Sequence, residues 1–379
     1  MSRAAGILAL FVASWTAFAA PVRADLPAVP VLVPLTGFLA LEGTSQRNGA
    51  LLALRNPPAG TAVAFEVSDT ATSPEIAVNA LRKALRADNV VAVAASMLGT
   101  HMLAMLPVAD ELGVPLVTVS GTAKVTELGS PNVFRFFPGD SVVKTAQARY
   151  AVQEMGAKRP ALIYQTTAYG QSGRRHLAAN LTRLGAPPVL EEGLPVTVKD
   201  MLPVLAKVRA AGADLIVLHL HAPSTALIVR QAVAMGLGLP ILAGSAMHQP
   251  ATAALLTPAE LKGVCAESGS SPVSGGSPAM DRFVADYRAA FDAEPDAFAA
   301  GQYDGIRMVV AALAAGARTA AEVRAFLAAN THDGVAMRYR SDGTGNMAHD
   351  AVIICYDGRD RTPRLVKRYR NLSGVAGLD

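Results

Sequence analysis

The sequence predicts an α/β protein made of two doubly wound parallel-sheet lobes joined by a multi-strand hinge. Short apolar runs alternate with helical patterns from Val29 onward, and alternation with nearly continuous apolar strands is typical of a parallel sheet covered by helices on both faces. The alternation occurs twice, over residues 29–119 and again over 161–243. A chain of 379 residues, 51% hydrophobic and 17% charged, is long and apolar enough for two domains, which excludes a disordered protein.

The strand predictions rest on short runs of β-branched and other apolar residues. These runs are 29–33, 62–67, 90–94, 115–119, 161–164, 188–191, 215–219, 240–243, 263–267 and 351–356. The helix predictions rest on helical spacing of apolar residues and on punctuation, such as Ser73-Pro74 at one start and Gly113 at one end. They cover 43–55, 74–86, 100–112, 141–155, 171–184, 200–210 and 223–235.

Two segments interrupt the alternation and predict where the chain passes between the lobes. Residues 134–140 break the pattern, and residues 268–278 have the Ser/Gly/Pro composition of a linker. Helices predicted at 279–291, 297–315 and near 320–329 then return to cover the first sheet, and the strand at 351–356 is left to pair in the second lobe. The predicted lobes are residues 25–139 plus 269–346, and residues 140–268 plus 347–379. Ligands of such sheets bind outside the carboxyl ends of the strands, so a cleft between the lobes is the expected site.

The N-terminus has the pattern of a secretory signal peptide over residues 1–24. Arg3 is the only charge before Arg23, the residues between them are apolar or small, and cleavage is predicted before Asp25, with a second possible cut after Ala19. A membrane anchor is the alternative, but the apolar stretch is slightly short for a span. We therefore predict export to the periplasm.

Cys265 and Cys355 are the two cysteines of the chain. An exported compartment permits a disulfide. Both residues lie in short apolar runs typical of buried strands, so two free buried thiols are the favoured prediction.

The sequence lacks the motifs that would indicate an enzyme, a cofactor or a nucleic-acid partner. It has no G-x-S-x-G, H-E-x-x-H, C-x-x-C or P-loop motif, no G-x-G-x-x-G after the first strand and no cluster of basic and aromatic residues. His219, His221 and His248 form the one conceivable metal set. Because no acidic or thiol ligand lies at a useful spacing, polar residues facing a cleft are the favoured interpretation and no metal is predicted.

Several segments, in order along the chain, resemble those of type I periplasmic solute-binding proteins of ABC importers, of the leucine/isoleucine/valine-binding class. These are the turn at 33–37, the helix at 46–54, the segments 68–78 and 113–122, the Tyr-Gly segment at 168–170 and the late helix segment 302–305. The resemblance covers the mature chain. It implies the two-lobed fold, a small solute held between the lobes, no reaction, and a membrane permease as partner.

In that family, a turn of the first lobe holds the ligand carboxylate. The resemblance places Ser120, Gly121 and Thr122 in this turn, while the family's further serine falls on Gly99, with Thr100 beside it. Free N–H groups at helix N-termini favour anions at such a place. The alternative is that Thr100 and Thr122 are ordinary helix caps.

The second lobe departs from the amino-acid binders of the family. Tyr169 matches a ligand-contacting tyrosine, His221 falls on a second tyrosine, and Ser245 falls on the glutamate that pairs with the ligand ammonium. Glu42, in the first lobe, could replace that glutamate, or it could be a solvated residue at a helix start. His221, if protonated below about pH 6.5, could instead contact an anion.

Two ligand classes therefore stay open: a branched-chain amino acid, or a carboxylate or amide without an amine. The missing glutamate slightly favours the second, because a buried ammonium without a carboxylate is costly. The predicted function is the substrate-binding component of an ABC importer, with a ligand-sensing subunit of a receptor as the alternative. A net charge near zero and the lack of an amphipathic tail predict a monomer.

Overall fold

The computed structural model describes residues 26–372, and the predicted signal peptide lies outside them. Two separate sheets, each covered by helices on both faces, form the two lobes of the predicted fold. Each sheet has a buried apolar cluster on either side. No helix within 26–372 is long and apolar enough to cross a membrane.

The first lobe contains a five-stranded parallel sheet in the order β2-β1-β3-β4-β5. Its strands are β1 Val31–Val33, β2 Val67–Asp69, β3 Val93–Ala95, β4 Leu116–Thr118 and β5 Val133–Arg135. Strand β5 was not predicted, because two of its three residues, Phe134 and Arg135, belong to the segment that interrupts the alternation. It pairs with β4 at the edge of the sheet, directly before the chain leaves the lobe.

Seven helices of the described chain belong to this lobe, and three of them come from the late part of the sequence. They are α1 Ala40–Arg55, α2 Pro74–Ala84, α3 Gly99–Leu112, α4 Lys124–Glu127, α11 Pro278–Phe291, α12 Ala297–Ala314 and α13 Ala320–Ala329. Helix α12 packs along α1, where a Cβ on Gly49 would lie 2.2 Å from the carbonyl oxygen of Ala299. The predicted return of the late helices to the first sheet is thus observed. A short unpredicted hairpin, β11 Thr331–Asp333 and β12 Arg338–Arg340, follows them.

The second lobe contains a seven-stranded sheet in the order β14-β13-β10-β9-β8-β6-β7. Its parallel strands are β6 Pro160–Gln165, β7 Leu190–Leu194, β8 Leu215–His219, β9 Ile241–Ala243 and β10 Val264–Ser268. The strands β13 Ala351–Cys355 and β14 Arg364–Tyr369 add to it in antiparallel fashion, so this sheet is mixed rather than wholly parallel. Strand β14 was not predicted, because three of its six residues are basic, as is common on an edge strand.

The four longer helices of the second lobe follow the predicted pattern closely, whereas two short helices after β9 were not predicted. They are α5 Asp140–Arg149, α6 Ala168–Arg183, α7 Leu202–Ala210, α8 Ala222–Ala234, and the short α9 Pro250–Ala253 and α10 Pro258–Leu261. A π-helical turn extends α5 over Tyr150–Glu154, and a 3₁₀ turn covers Ser245–His248. This last turn leads directly from the end of β9 into the space between the lobes.

The chain crosses between the two sheets after β5, after β10 and before β13. The first crossing is tight, because a Cβ on Gly139 would lie 2.3 Å from Nη2 of the buried Arg135. The predicted lobe boundaries at 139/140, 268/269 and 346/347 fall in these crossings. That the lobes move as units about these boundaries stays a prediction.

The prediction of two free thiols was wrong: Cys265 and Cys355 form a disulfide. The two residues are direct partners on the antiparallel strands β10 and β13, with Cα atoms 4.0 Å apart. Sequence alone did not indicate this pairing, because it left the partner of the last predicted strand open. The bond closes the base of the long excursion that the chain makes into the first lobe.

Candidate functional site

A cavity lies between the lobes, at the carboxyl ends of strands from both sheets. Its apolar wall is formed by Leu39, Met97, Leu98, Phe137, Ala246 and Phe298. Five of the predicted site residues complete the lining, namely Glu42, Gly121, Tyr169, His221 and Ser245. The cavity measures about 30 Å³, which is room for one or two water molecules. A larger solute therefore enters only if the lobes or the lining side chains move.

The turn after β4 carries two unpaired hydroxyl groups on either side of Gly121, the one residue of this turn that lines the cavity. The side chains of Ser120 and Thr122 are buried, and neither hydroxyl has a hydrogen-bond partner. Beneath them, the guanidinium of Arg135 donates to the carbonyl oxygens of Thr122 (2.8 Å) and Ser120 (3.4 Å). Burial lowers the pKa of Arg135 from 12.5 to about 10, so this group stays cationic at neutral pH. Unpaired hydroxyls backed by a buried cation are suited to an anionic ligand.

Gly99 has no room for the serine found in the family. A Cβ at this position would lie 2.0 Å from Oγ1 of Thr122, so the threonine side chain occupies that space. Thr100 is half-buried in the first turn of α3 and does not line the cavity. The alternative of ordinary caps does not hold for either threonine: Leu98 is the cap residue of α3, Ala123 that of α4, and neither makes a side-chain cap bond.

Glu42 connects the two lobes. Its side chain is only 2% exposed, which excludes the interpretation as a solvated residue. One carboxylate oxygen accepts a hydrogen bond from the backbone N–H of Ala222 at the start of α8 (3.0 Å), while the other, Oε2, is buried without a partner. Burial raises the pKa of Glu42 from 4.5 to about 7, and the nearby charge of Asp296 adds to the effect.

His221 is the cap residue of α8 and packs among aromatic rings. Its ring centroid lies 5.2 Å from those of Phe38 and Tyr169, and its Nε2 pairs with the hydroxyl of Thr167 at 3.2 Å. Burial lowers the pKa of His221 from 6.5 to about 4. Burial therefore disfavours the protonation expected near pH 6.5, and any strengthening of anion binding by His221 would require a lower pH.

Sequence reasoning missed a buried ion pair behind Ser245. The Ser245 hydroxyl donates to the carboxylate of Glu267, at 2.8 and 2.9 Å from its two oxygens. Glu267 is the penultimate residue of β10 and pairs with Lys144 of α5, and both side chains are fully buried. The available signal was Glu267 itself, an acidic residue near the end of an otherwise apolar strand. It was missed because it lies 22 positions from Ser245 in sequence and approaches Ser245 from the neighbouring strand.

A second set of contacts holds the lobes together at the start of α12. Nε2 of His248 accepts the backbone N–H of Ala297 (3.1 Å), and Gln249 donates to the carboxylate of Asp296 (2.7 Å). Together with the Glu42–Ala222 bond, these contacts describe a closed arrangement. Within the described residues, no group of three His, Cys, Asp or Glu side chains could hold a metal ion.

Comparison with known proteins identifies the family. Residues 28–360 match the family described as "Periplasmic binding protein", so the chain belongs to it. An "Amino acid binding protein" of Pseudomonas aeruginosa is 28% identical over 372 residues, which span 95% of this chain and 98% of that protein. The type I, leucine/isoleucine/valine-binding resemblance found in the sequence is thereby confirmed.

Solved structures with different ligands share the fold. The branched-chain amino acid transporter substrate binding protein LivJ of Streptococcus pneumoniae, in complex with isoleucine, has a TM-score of 0.81 at 23% identity and covers 90% of this chain and 100% of that chain. A solute binding protein of an ABC transporter from Rhodopseudomonas palustris, in complex with 3,4-dihydroxybenzoic acid, has a TM-score of 0.82 at 21% identity. The match covers 93% of this chain and 99% of that chain. At these identities the likeness establishes the fold alone.

The raised pKa of Glu42 predicts a pH-dependent effect of Glu42→Gln on the empty protein. Because the folded protein holds this proton more tightly than the unfolded chain, the contribution of Glu42 to stability falls as pH rises from 4.5 to about 7. The variant should therefore gain stability relative to wild type across this range, by on the order of 3 kcal/mol. Urea unfolding at several pH values measures the difference. Glu66→Gln, at an exposed position, should show no such trend, and a constant difference for Glu42→Gln would contradict the prediction.

Proposed function

We propose that this protein is the substrate-binding component of an ABC importer and that it captures a small aliphatic α-amino acid between its lobes. The observation that carries the proposal is the unpaired oxygen of Glu42 in the same cavity as Gly121 of the Ser120–Thr122 turn. At one end of the site, the turn of Gly121 carries two unpaired hydroxyls beside the cavity, and at the other end Glu42 offers a carboxylate in the lining. A ligand that carries both a carboxylate and an ammonium satisfies both ends.

Electrostatics favours this assignment over a simple anion. An ionised Glu42 without a counter-charge is costly in a buried cavity, as its raised pKa reflects. An ammonium group next to Oε2 would restore the ionised form and satisfy that oxygen. A ligand with a carboxylate alone leaves this cost in place.

A carboxylate without an amine is the second candidate, and two observations favour it. Ser245 stands where the amino-acid binders of the family carry a glutamate, and a pKa near 7 allows Glu42 to be protonated and to act as a donor. A thermal-shift screen of branched-chain amino acids against benzoate and simple aliphatic acids separates the candidates. A ligand at a hundred times its Kd should add about 2.7 kcal/mol to stability. Stabilisation by amine-free acids alone would overturn the first assignment.

The proposed site of action is the periplasm, and the proposed partner is a permease of the inner membrane. The ligand favours the closed state because only there do both lobes contact it, and the permease would receive that closed form. A ligand-sensing subunit of the same fold would differ in its partner, not in its cleft. The monomeric state stays a prediction.

The free hydroxyl of Thr122 predicts a selective loss of affinity in Thr122→Val. The substitution keeps the size of the side chain but removes a donor to the ligand carboxylate, so binding of an accepted amino acid should weaken by roughly 1–3 kcal/mol. The empty protein should unfold at nearly the same temperature, because this hydroxyl has no partner to lose.

Thr252→Val is the matched control, because Thr252 is also fully buried with an unpaired hydroxyl but lies on α9 of the second lobe rather than in the turn that includes Gly121. It should leave affinity unchanged in isothermal titration. Equal affinities for both variants and wild type would remove Thr122 from the site.

Closure of the lobes predicts a change in shape without a change in secondary structure. Small-angle scattering should give a smaller radius of gyration after saturation with an accepted amino acid, while circular dichroism stays constant. Identical scattering profiles with and without ligand would count against a hinge mechanism.

A further inference from the structure

Ser245 lies between the cavity and a buried ion pair, and this position restricts what its hydroxyl can do. Its oxygen is 2.8 and 2.9 Å from the two carboxylate oxygens of Glu267. An ionised carboxylate is only an acceptor, so the single proton of the serine hydroxyl must point to Glu267. The lone pairs of the same oxygen are then the groups that Ser245 offers to other partners.

The surrounding residues keep this arrangement in one state. Glu267 is ion-paired with Lys144, whose ammonium also donates to the side chain of Gln147 (3.1 Å). Gln147 in turn donates to the carbonyl oxygens of Leu242 and Ala243 at the end of β9. Every group in this chain of contacts has its donor and acceptor roles assigned, so reversal of the Ser245 hydroxyl would leave the Glu267 carboxylate short of a donor.

Tyr169 is another polar residue of the cavity wall, and its phenolic hydroxyl can donate to one acceptor. A hydroxyl oxygen has two lone pairs. Even with one of them directed to Tyr169, one acceptor position remains for a ligand.

We propose that the Lys144–Glu267 ion pair fixes Ser245 as a hydrogen-bond acceptor toward the cavity, so that this wall selects ligands with a donor group, an ammonium or a hydroxyl, at that end. This inference rests on the proposed function and narrows its substrate class. Ser245 is the residue that contacts the ligand, whereas Lys144 and Glu267 are positioning residues. A ligand with only a carbonyl oxygen at the same place meets a lone pair and is rejected.

Three probes with one carbon skeleton test the proposal: L-valine with an ammonium, 2-hydroxy-3-methylbutanoate with a hydroxyl, and 3-methyl-2-oxobutanoate with a carbonyl. Wild-type protein should bind the first two more tightly than the third in isothermal titration. Ser245→Ala should weaken the first two by about tenfold and should strengthen the third, because the opposing lone pair is removed. Ser130→Ala is the control, since Ser130 also donates to a carboxylate, that of Asp110, but does not line the cavity; it should change none of the three affinities.

A double variant tests the positioning role. Lys144→Met with Glu267→Gln removes both charges together, because loss of one partner would leave a buried charge unpaired. The new amide can donate to Ser245, which frees the serine proton for the cavity. The ratio of the affinities for 2-hydroxy-3-methylbutanoate and 3-methyl-2-oxobutanoate should then shrink or reverse relative to wild type. A loss of protein stability would weaken both ligands alike and would not change this ratio.

The outcomes separate this inference from the proposed function. If wild type binds L-valine but Ser245→Ala weakens all three probes equally, or none, the selection by Ser245 is wrong and the importer component stands. If wild type binds none of the three probes, the proposed amino-acid class is wrong and the inference is overturned with it.

Discussion

Glu42→Gln is expected to lower the affinity for an amino-acid ligand by more than about a hundredfold. The glutamine oxygen can still accept the N–H of Ala222, so the lobe-to-lobe bond is kept. The lost feature is the negative charge on the second oxygen, which is buried in the cavity without a partner. A desolvated ammonium next to a neutral amide costs roughly 3–5 kcal/mol. Titration of L-valine into wild type and variant measures the loss.

Two further readouts distinguish a charge effect from a damaged fold. The empty Glu42→Gln protein should be at least as stable as wild type at neutral pH, because burial already disfavours the charged form of Glu42. Binding to wild type near pH 6 should also release protons, since the ammonium drives Glu42 to its ionised form. Glu66→Gln should bind as wild type does. An unchanged affinity in Glu42→Gln would show that the ligand carries no amine near this residue.

Loss of the disulfide is expected to produce the largest change in stability. The bond joins residues that are 90 positions apart and closes the base of the excursion into the first lobe. Disulfides typically contribute about 2–4 kcal/mol, chiefly by restricting the unfolded chain, and a long loop such as this one favours the upper end of that range. The double variant Cys265→Ser/Cys355→Ser should therefore unfold at a lower urea concentration than oxidised wild type.

Ligand affinity should hardly change in the double variant, because neither cysteine lines the cavity. Wild type treated with a reductant should lose as much stability as the double variant, whereas the variant itself should not respond to the reductant. Two titratable thiols in unreduced, unfolded wild type would contradict the paired state.

Much of the fold could be predicted because its strands are short, apolar and buried, and these are properties of local sequence. The exceptions have physical causes. Strand β5 has only three residues beside a crossing, and β14 carries basic residues on an exposed edge. The antiparallel pairing of β13, and with it the disulfide, depends on which strand lies beside β10. Local sequence patterns do not predict which strands are neighbours in a sheet.

The site was predictable only in part for a similar reason. Glu42, Tyr169, His221 and Ser245 were named from the family resemblance, and all four line the cavity. Glu267 and Lys144 were missed, because Glu267 reaches Ser245 from a neighbouring strand and Lys144 reaches Glu267 from a helix far away in sequence. Sequence could not show that burial, a property of the folded structure, lowers the pKa of His221 and disfavours its expected protonation.

The most direct test of the central claim is mass spectrometry of the small molecule released when protein purified from its natural host is denatured. The expected result is one aliphatic α-amino acid, in close to equimolar amount with the protein, and none after the same purification of Glu42→Gln. Release of a carboxylic acid without an amine, retained equally by wild type and Glu42→Gln, would contradict it.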